Sequence, residues 1–168
     1  MLENNPIKPV IKEKTYKGIG GWLILVIISL ILTPLLSLLY IVESIIPILD
    51  SYNWTLIKAA DRTALLEPLL YFELIINSLL IIVPLLLLFM MFKKSRKFPK
   101  FMIIYLVTAL ILNLIDAGAA LYVFNDYGVG EEVNNEIYQS IARTFIFMGI
   151  WIPYFLKSKR VKATFLEK

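Results

Sequence analysis

The chain has 168 residues, of which 59% are apolar, and a formal net charge of +4. It contains no cysteine and no histidine, which excludes disulfides, thiol redox chemistry, haem ligation by those residues, zinc sites built from nitrogen and sulfur, and any nucleophile activated by histidine. The basic residues flank apolar blocks instead of forming a face, so the positive balance points to a membrane boundary and not to nucleic acid.

Residues 1–17 carry Lys8, Lys12, Lys14 and Lys17, contain Pro6 and Pro9, and are expected to form a cytoplasmic tail. The first apolar block follows at 19–42 without a single charge. It is too long for the apolar region of a cleaved leader and no cleavage pattern follows it, so a retained membrane helix is predicted, with Pro34 a site for a kink. Segment 43–65 is too polar to span. Within it Leu56, Ile57, Ala60 and Ala64 recur at helical spacing opposite Lys58, Asp61 and Arg62, which predicts a short interfacial helix on the outer surface.

The second block covers 66–92 and stops at the basic run KKSRKFPK (93–100). The third covers 101–124, an acidic connection (125–136) follows, and the fourth covers 137–156 before a second basic run (157–168), expected as another cytoplasmic tail. Each block is about twenty residues, the length a helix needs to cross a hydrocarbon core roughly 30 Å thick. Fourteen Lys/Arg fall in the two tails and the 93–100 loop, against two, Lys58 and Arg62, on the opposite side. That bias predicts an all-α integral membrane four-helix bundle with both termini inside, in the cytoplasmic membrane of a bacterium. The expected partners are membrane lipids, together with a second copy or another membrane protein. No cofactor or metal and no catalytic constellation is expected.

Three of the predicted helices carry one ionisable residue inside the apolar block: Glu73, Asp116 and Arg143. A charge at bilayer depth costs about 2.5–3.5 kcal/mol on insertion scales, so each needs a partner. All three count to about 10–14 Å from the outer ends of their helices. Each has a polar companion one turn away: Asn77 beside Glu73, Asn113 beside Asp116, Gln139 beside Arg143. The expected arrangement is one buried cluster in which Arg143 bridges the two carboxylates, with the uncharged first helix packed outside it. Two readings follow: helix–helix glue, or a ligand or proton site. The corresponding functions are a non-enzymatic interaction or assembly module, and an oligomeric transporter or channel. An intramembrane enzyme is the least supported, because an aspartyl protease needs a second membrane aspartate.

The ending WIPYFLKSKRVKATF (151–165) and the opening GIGGWLILV (18–26) resemble a bacterial membrane protein family known as domain of unknown function 2569. The Glu73-x-x-x-Asn77 pattern and Pro99 after a basic loop are similar to it as well. The resemblance covers nearly all of the chain beyond the N-terminal tail. It implies a small four-helix bacterial membrane protein and brings no activity and no catalytic residues.

Overall fold

A computed structural model describes residues 18–49, 54–61, 63–126 and 131–167. The N-terminal tail, Arg62 and Tyr127–Gly130 lie outside the described residues. Within them the structure is all-helical.

Helix α1 begins at Trp22, not at 19, because Gly18 and Gly21 adopt φ of +112° and +56° and break the chain before the first turn. It runs as an α-helix over Trp22–Tyr40, passes through a π turn at Ile41–Ile45 and ends in the turn Ile46–Leu49. Glu43 and the residues after it therefore continue the first helix, and the polar outer segment is shorter than the 43–65 expected. One exposed carboxylate near the end does not stop a helix whose other faces stay apolar. Ile45 is fully buried beyond it.

Helix α2 (Trp54–Ala60) occupies the position predicted for an interfacial helix, with a different inward face. Trp54 is buried and Leu56 is largely exposed. Lys58 lies 5.5 Å from the centre of the Trp54 ring and 3.2 Å from Glu67, which ties α2 to the next helix. Asp61 accepts from the Thr63 and Leu66 backbone N–H groups, so it satisfies a donor that the start of the following helix would otherwise leave unpaired.

Helix α3 is Leu66–Phe92, α4 is Phe98–Asp126 and α5 is Glu131–Lys157. Pro99 sits in the first turn of α4, where its missing N–H costs nothing. A last short helix, α6 (Lys159–Val161), continues into a π turn at Lys162–Leu166. Ser158 caps α6, accepting from the Val161 N–H.

The start of α1 (Leu23, Val26, Leu30), the end of α3 (Leu87, Met91), the start of α4 (Phe98, Met102, Leu106) and the end of α5 (Met148, Trp151, Phe155) share one apolar cluster. Four long helices thus alternate up and down, with α1 against α3 and α4 between α3 and α5. The segment read as a basic tail closes the same end. Val161 and Phe165 are fully buried in that cluster, and Phe165 stacks on Phe98 at 4.9 Å between ring centres. The Thr164 hydroxyl donates to the Gly18 carbonyl (3.1 Å) and accepts from the Gly18 N–H (3.2 Å), joining residues 146 positions apart. The strings 18–26 and 151–165 are therefore one contact surface in space. At the opposite end a smaller cluster (Leu69, Ala120, Val123) joins α3 and α4.

Candidate functional site

Between the two apolar clusters lies a cavity of about 780 Å³, walled by α3, α4 and α5 and reached by the end of α1. Its lining runs along α3 from Glu73 to Met90, about 25 Å at 1.5 Å per residue. The length toward the main core is mainly apolar, with Tyr105 and Thr108 of α4 its polar side chains. The other end is polar: Glu73 and Asn77 from α3, Asn113 and Asp116 from α4, Ser140 and Thr144 from α5, and Tyr40 from α1. Four lining residues, Leu79, Leu86, Phe101 and Ile104, are also 45–57% exposed, so the cavity opens sideways onto an apolar surface between α3 and α4.

The polar end is built from helix register. On α3, α4 and α5 two polar residues stand three or four positions apart, on one face. Tyr40, Glu73 and Asp116 each lie 18–19 residues from the core end of their helix (Trp22, Phe92, Phe98), so all three stand about 27 Å up the bundle. The Tyr40 hydroxyl donates to Glu73 Oε2 at 2.8 Å. Asn77 Nδ2 donates to the Glu73 carbonyl (2.9 Å) and Asn113 Nδ2 to Ser140 Oγ (3.4 Å). Thr144 donates to the Ser140 carbonyl (3.0 Å). Asn113 Oδ1 and Asp116 Oδ1 are buried and accept from nothing among the described residues.

The cavity brings together four of the six residues singled out from sequence, Glu73, Asn77, Asn113 and Asp116, and leaves out Gln139 and Arg143. Both are exposed on the outer face of α5, and Arg143 Nε donates to the Gln139 carbonyl of its own helix at 3.2 Å. No ion pair joins Arg143 to either carboxylate among the described residues. The face that α5 turns to the cavity carries instead Ser140 and Thr144, one residue further along and about 100° around it, and neither hydroxyl bonds a carboxylate among the described residues. The first helix, expected outside the polar contact, supplies the one side-chain hydrogen bond that Glu73 accepts among the described residues.

No group of three or more His, Cys, Asp or Glu suited to a metal occurs among the described residues. The polar end presents two carboxylates, an amide oxygen and hydroxyls at the end of a mainly apolar slot.

Three helical segments, Trp22–Leu49, Leu66–Phe92 and Phe98–Asn125, are long and apolar enough to cross a membrane. With the apolar outer surface and the sideways-opening cavity they define the class, a helical membrane protein. Residues 16–166 match the family model described as "Protein of unknown function (DUF2569)", and the chain belongs to that family. No curated protein and no solved structure matches it.

Proposed function

We propose that this protein is a four-span bundle of the bacterial cytoplasmic membrane, both termini inside, that takes an amphiphilic molecule from the bilayer into the cavity between α3, α4 and α5. The fourth span is α5, whose 27 residues reach about 40 Å. Gln139 and Arg143 lower its hydropathy, yet its core-end half packs among the other three helices. The distribution of lysines and arginines supports the orientation.

One observation carries the reading: a cavity of about 780 Å³ whose mouth is bordered by exposed Leu79, Leu86, Phe101 and Ile104 and whose far end is polar. Binding sites of this size are mainly apolar with a few convergent polar groups. Here the mouth faces the acyl chains, so a ligand reaches it from the membrane. Reconstitution in nanodiscs with an alkyl diazirine photoprobe, followed by peptide mapping, tests the reading. Labelling should concentrate on Leu80, Ala109 and Leu112 and fall at least tenfold in Ala109→Trp, which fills the slot. Equal labelling of the exposed face around Ile146, unchanged by Ala109→Trp, would overturn it.

A second reading has its own support. Arg143 and Gln139 stand exposed at mid-helix on α5, where a bilayer is a poor solvent for them. That favours an assembly role, with α5 facing a second copy or another membrane helix. Crosslinking at Ala142→Cys, in a chain with no native cysteine, reports it directly. Monomer alone in native membranes removes this reading.

A further inference from the structure

The donors and acceptors of the polar end do not balance, and the imbalance names the ligand. The acceptors are the Glu73 and Asp116 carboxylates and the Asn113 amide oxygen. The donors near them are few and most are committed; the Ser140 hydroxyl, which accepts from Asn113, and the Thr108 hydroxyl, lower in the slot, donate to neither carboxylate among the described residues. Tyr40 donates to Glu73, Asn77 Nδ2 to a backbone carbonyl, Asn113 Nδ2 to Ser140 and Thr144 to its own helix. Asn113 Oδ1 and Asp116 Oδ1 are left with no donor among the described residues, although both are buried. No lysine or arginine lines the cavity, and the nearest candidate along α5, Arg143, turns to the other face. A buried carboxylate oxygen without a donor or a nearby counter-charge is costly, and leaving one buried acceptor unmet costs about 1–3 kcal/mol.

Resting on the amphiphile-binding reading above, we infer that the occupant carries a cationic, hydrogen-bond-donating head, an alkylammonium or alkylguanidinium, with its head between Glu73 and Asp116 and its chain lying along the apolar slot. A primary ammonium brings three donors and one positive charge. That meets the two orphaned oxygens and leaves a third donor for Glu73. Beyond Asn77 the slot is mainly apolar along α3 from Leu79 to Met90, about 16 Å, which suits one extended alkyl chain. A bare metal ion fits less well: the polar end offers only two carboxylates, and no group of three or more His, Cys, Asp or Glu occurs among the described residues, whereas a hard cation takes about six to eight oxygen ligands. An anionic head would face two carboxylates with no cation in the lining.

The experiment is competition against the diazirine photolabel by three twelve-carbon amphiphiles that differ only at the head: dodecylammonium, dodecanol and dodecyl sulfate. The expected order is dodecylammonium at least tenfold more effective than dodecanol, with dodecyl sulfate weakest. In Glu73→Gln/Asp116→Asn, nearly isosteric with the native pair, the ammonium advantage should vanish while dodecanol competes as before. Retained dodecanol competition shows that the variant is folded. Equal competition by ammonium and alcohol in the wild type overturns the cationic head and leaves the amphiphile cavity standing. An ammonium advantage that persists in the double variant also overturns it, since the cation then reads the bilayer and not the site. Failure of all three to compete, with labelling indifferent to Ala109→Trp, removes the cavity reading itself.

Discussion

Phe165→Ala tests whether the C-terminal segment is part of the folded core. Composition around 157–168 reads as a solvated basic tail, but the Phe165 ring is fully buried, 4.9 Å from Phe98, which in turn meets Phe155 at 5.9 Å. Truncating a buried phenylalanine to alanine typically costs about 3–5 kcal/mol, made up of lost transfer energy and the cavity left behind. An aromatic pair such as Phe98–Phe165 contributes about 0.5–1.5 kcal/mol of that. For a chain of this size 1 kcal/mol shifts a melting midpoint by about 2–4 °C, so the expected drop is of order 10 °C. Leu166→Ala is the internal control: Leu166 is about half exposed and its loss should stay within about 0.5 kcal/mol. Thermal unfolding in nanodiscs, followed by tryptophan emission, reads both variants, because Trp151 lies beside Phe155 at 6.5 Å and senses the same cluster. If Phe165→Ala melts within about 2 °C of the wild type, indistinguishable from Leu166→Ala, the segment is a tail and does not close the end of the bundle.

Thr164→Val keeps shape but removes the hydroxyl that both donates to and accepts from Gly18, and should cost about 1–3 kcal/mol in the same melt. Arg143→Gln should leave the midpoint of the monomer within about 0.5 kcal/mol of the wild type, because the residue is exposed and, among the described residues, bonds its own helix alone; a large loss would restore the buried bridge. Gly21→Ala should lower the midpoint by about 1–2 kcal/mol, since a side chain is forced to φ +56°, whereas Gly149→Ala, helical and with open space around it, should be neutral or stabilising. Tyr40→Phe removes the 2.8 Å bond to Glu73 for about 1 kcal/mol of stability and should tighten dodecylammonium competition, since the carboxylate loses its internal donor.

The long apolar blocks and their breaks were legible because membrane helices announce themselves by length and composition. Helix α3 runs Leu66–Phe92, the bounds of the second apolar block. The rotation of α5 was legible in principle but missed. Its buried core residues Met148, Trp151 and Phe155 recur at spacings of three and four, and carrying that stripe back by fours reaches Thr144 and Ser140. Gln139 and Arg143 lie one position off it. A rule that partners charge with charge selects Arg143, whereas the apolar stripe, continued, selects two small hydroxyls. On a helix the stripe decides facing, because one register step is about 100°. The continuation of α1 past Glu43 was hidden for a different reason. Local polarity marks a boundary only when the chain also turns, and the π turn at Ile41–Ile45 absorbs the polar residue without a turn. Tyr40 as the partner of Glu73 depends on α1 lying against α3, a pairing no local pattern in either helix specifies.

The two halves of the bundle differ in what holds them. Toward the basic end the four long helices and the C-terminal segment share one apolar cluster, knit by aromatic contacts among Phe98, Trp151, Phe155 and Phe165 and by the Thr164–Gly18 pair. Toward the other end α3 and α4 meet in a cluster of three residues, Leu69, Ala120 and Val123, and the space between is the cavity. Opening free energy follows the local density of buried contacts. The half that carries Glu73 and Asp116 is therefore the half that can separate, while the aromatic end acts as a fixed base. A site entered from the bilayer needs that division: a rigid base to keep the carboxylates on one level, and helices free enough above it to admit a chain between α3 and α4.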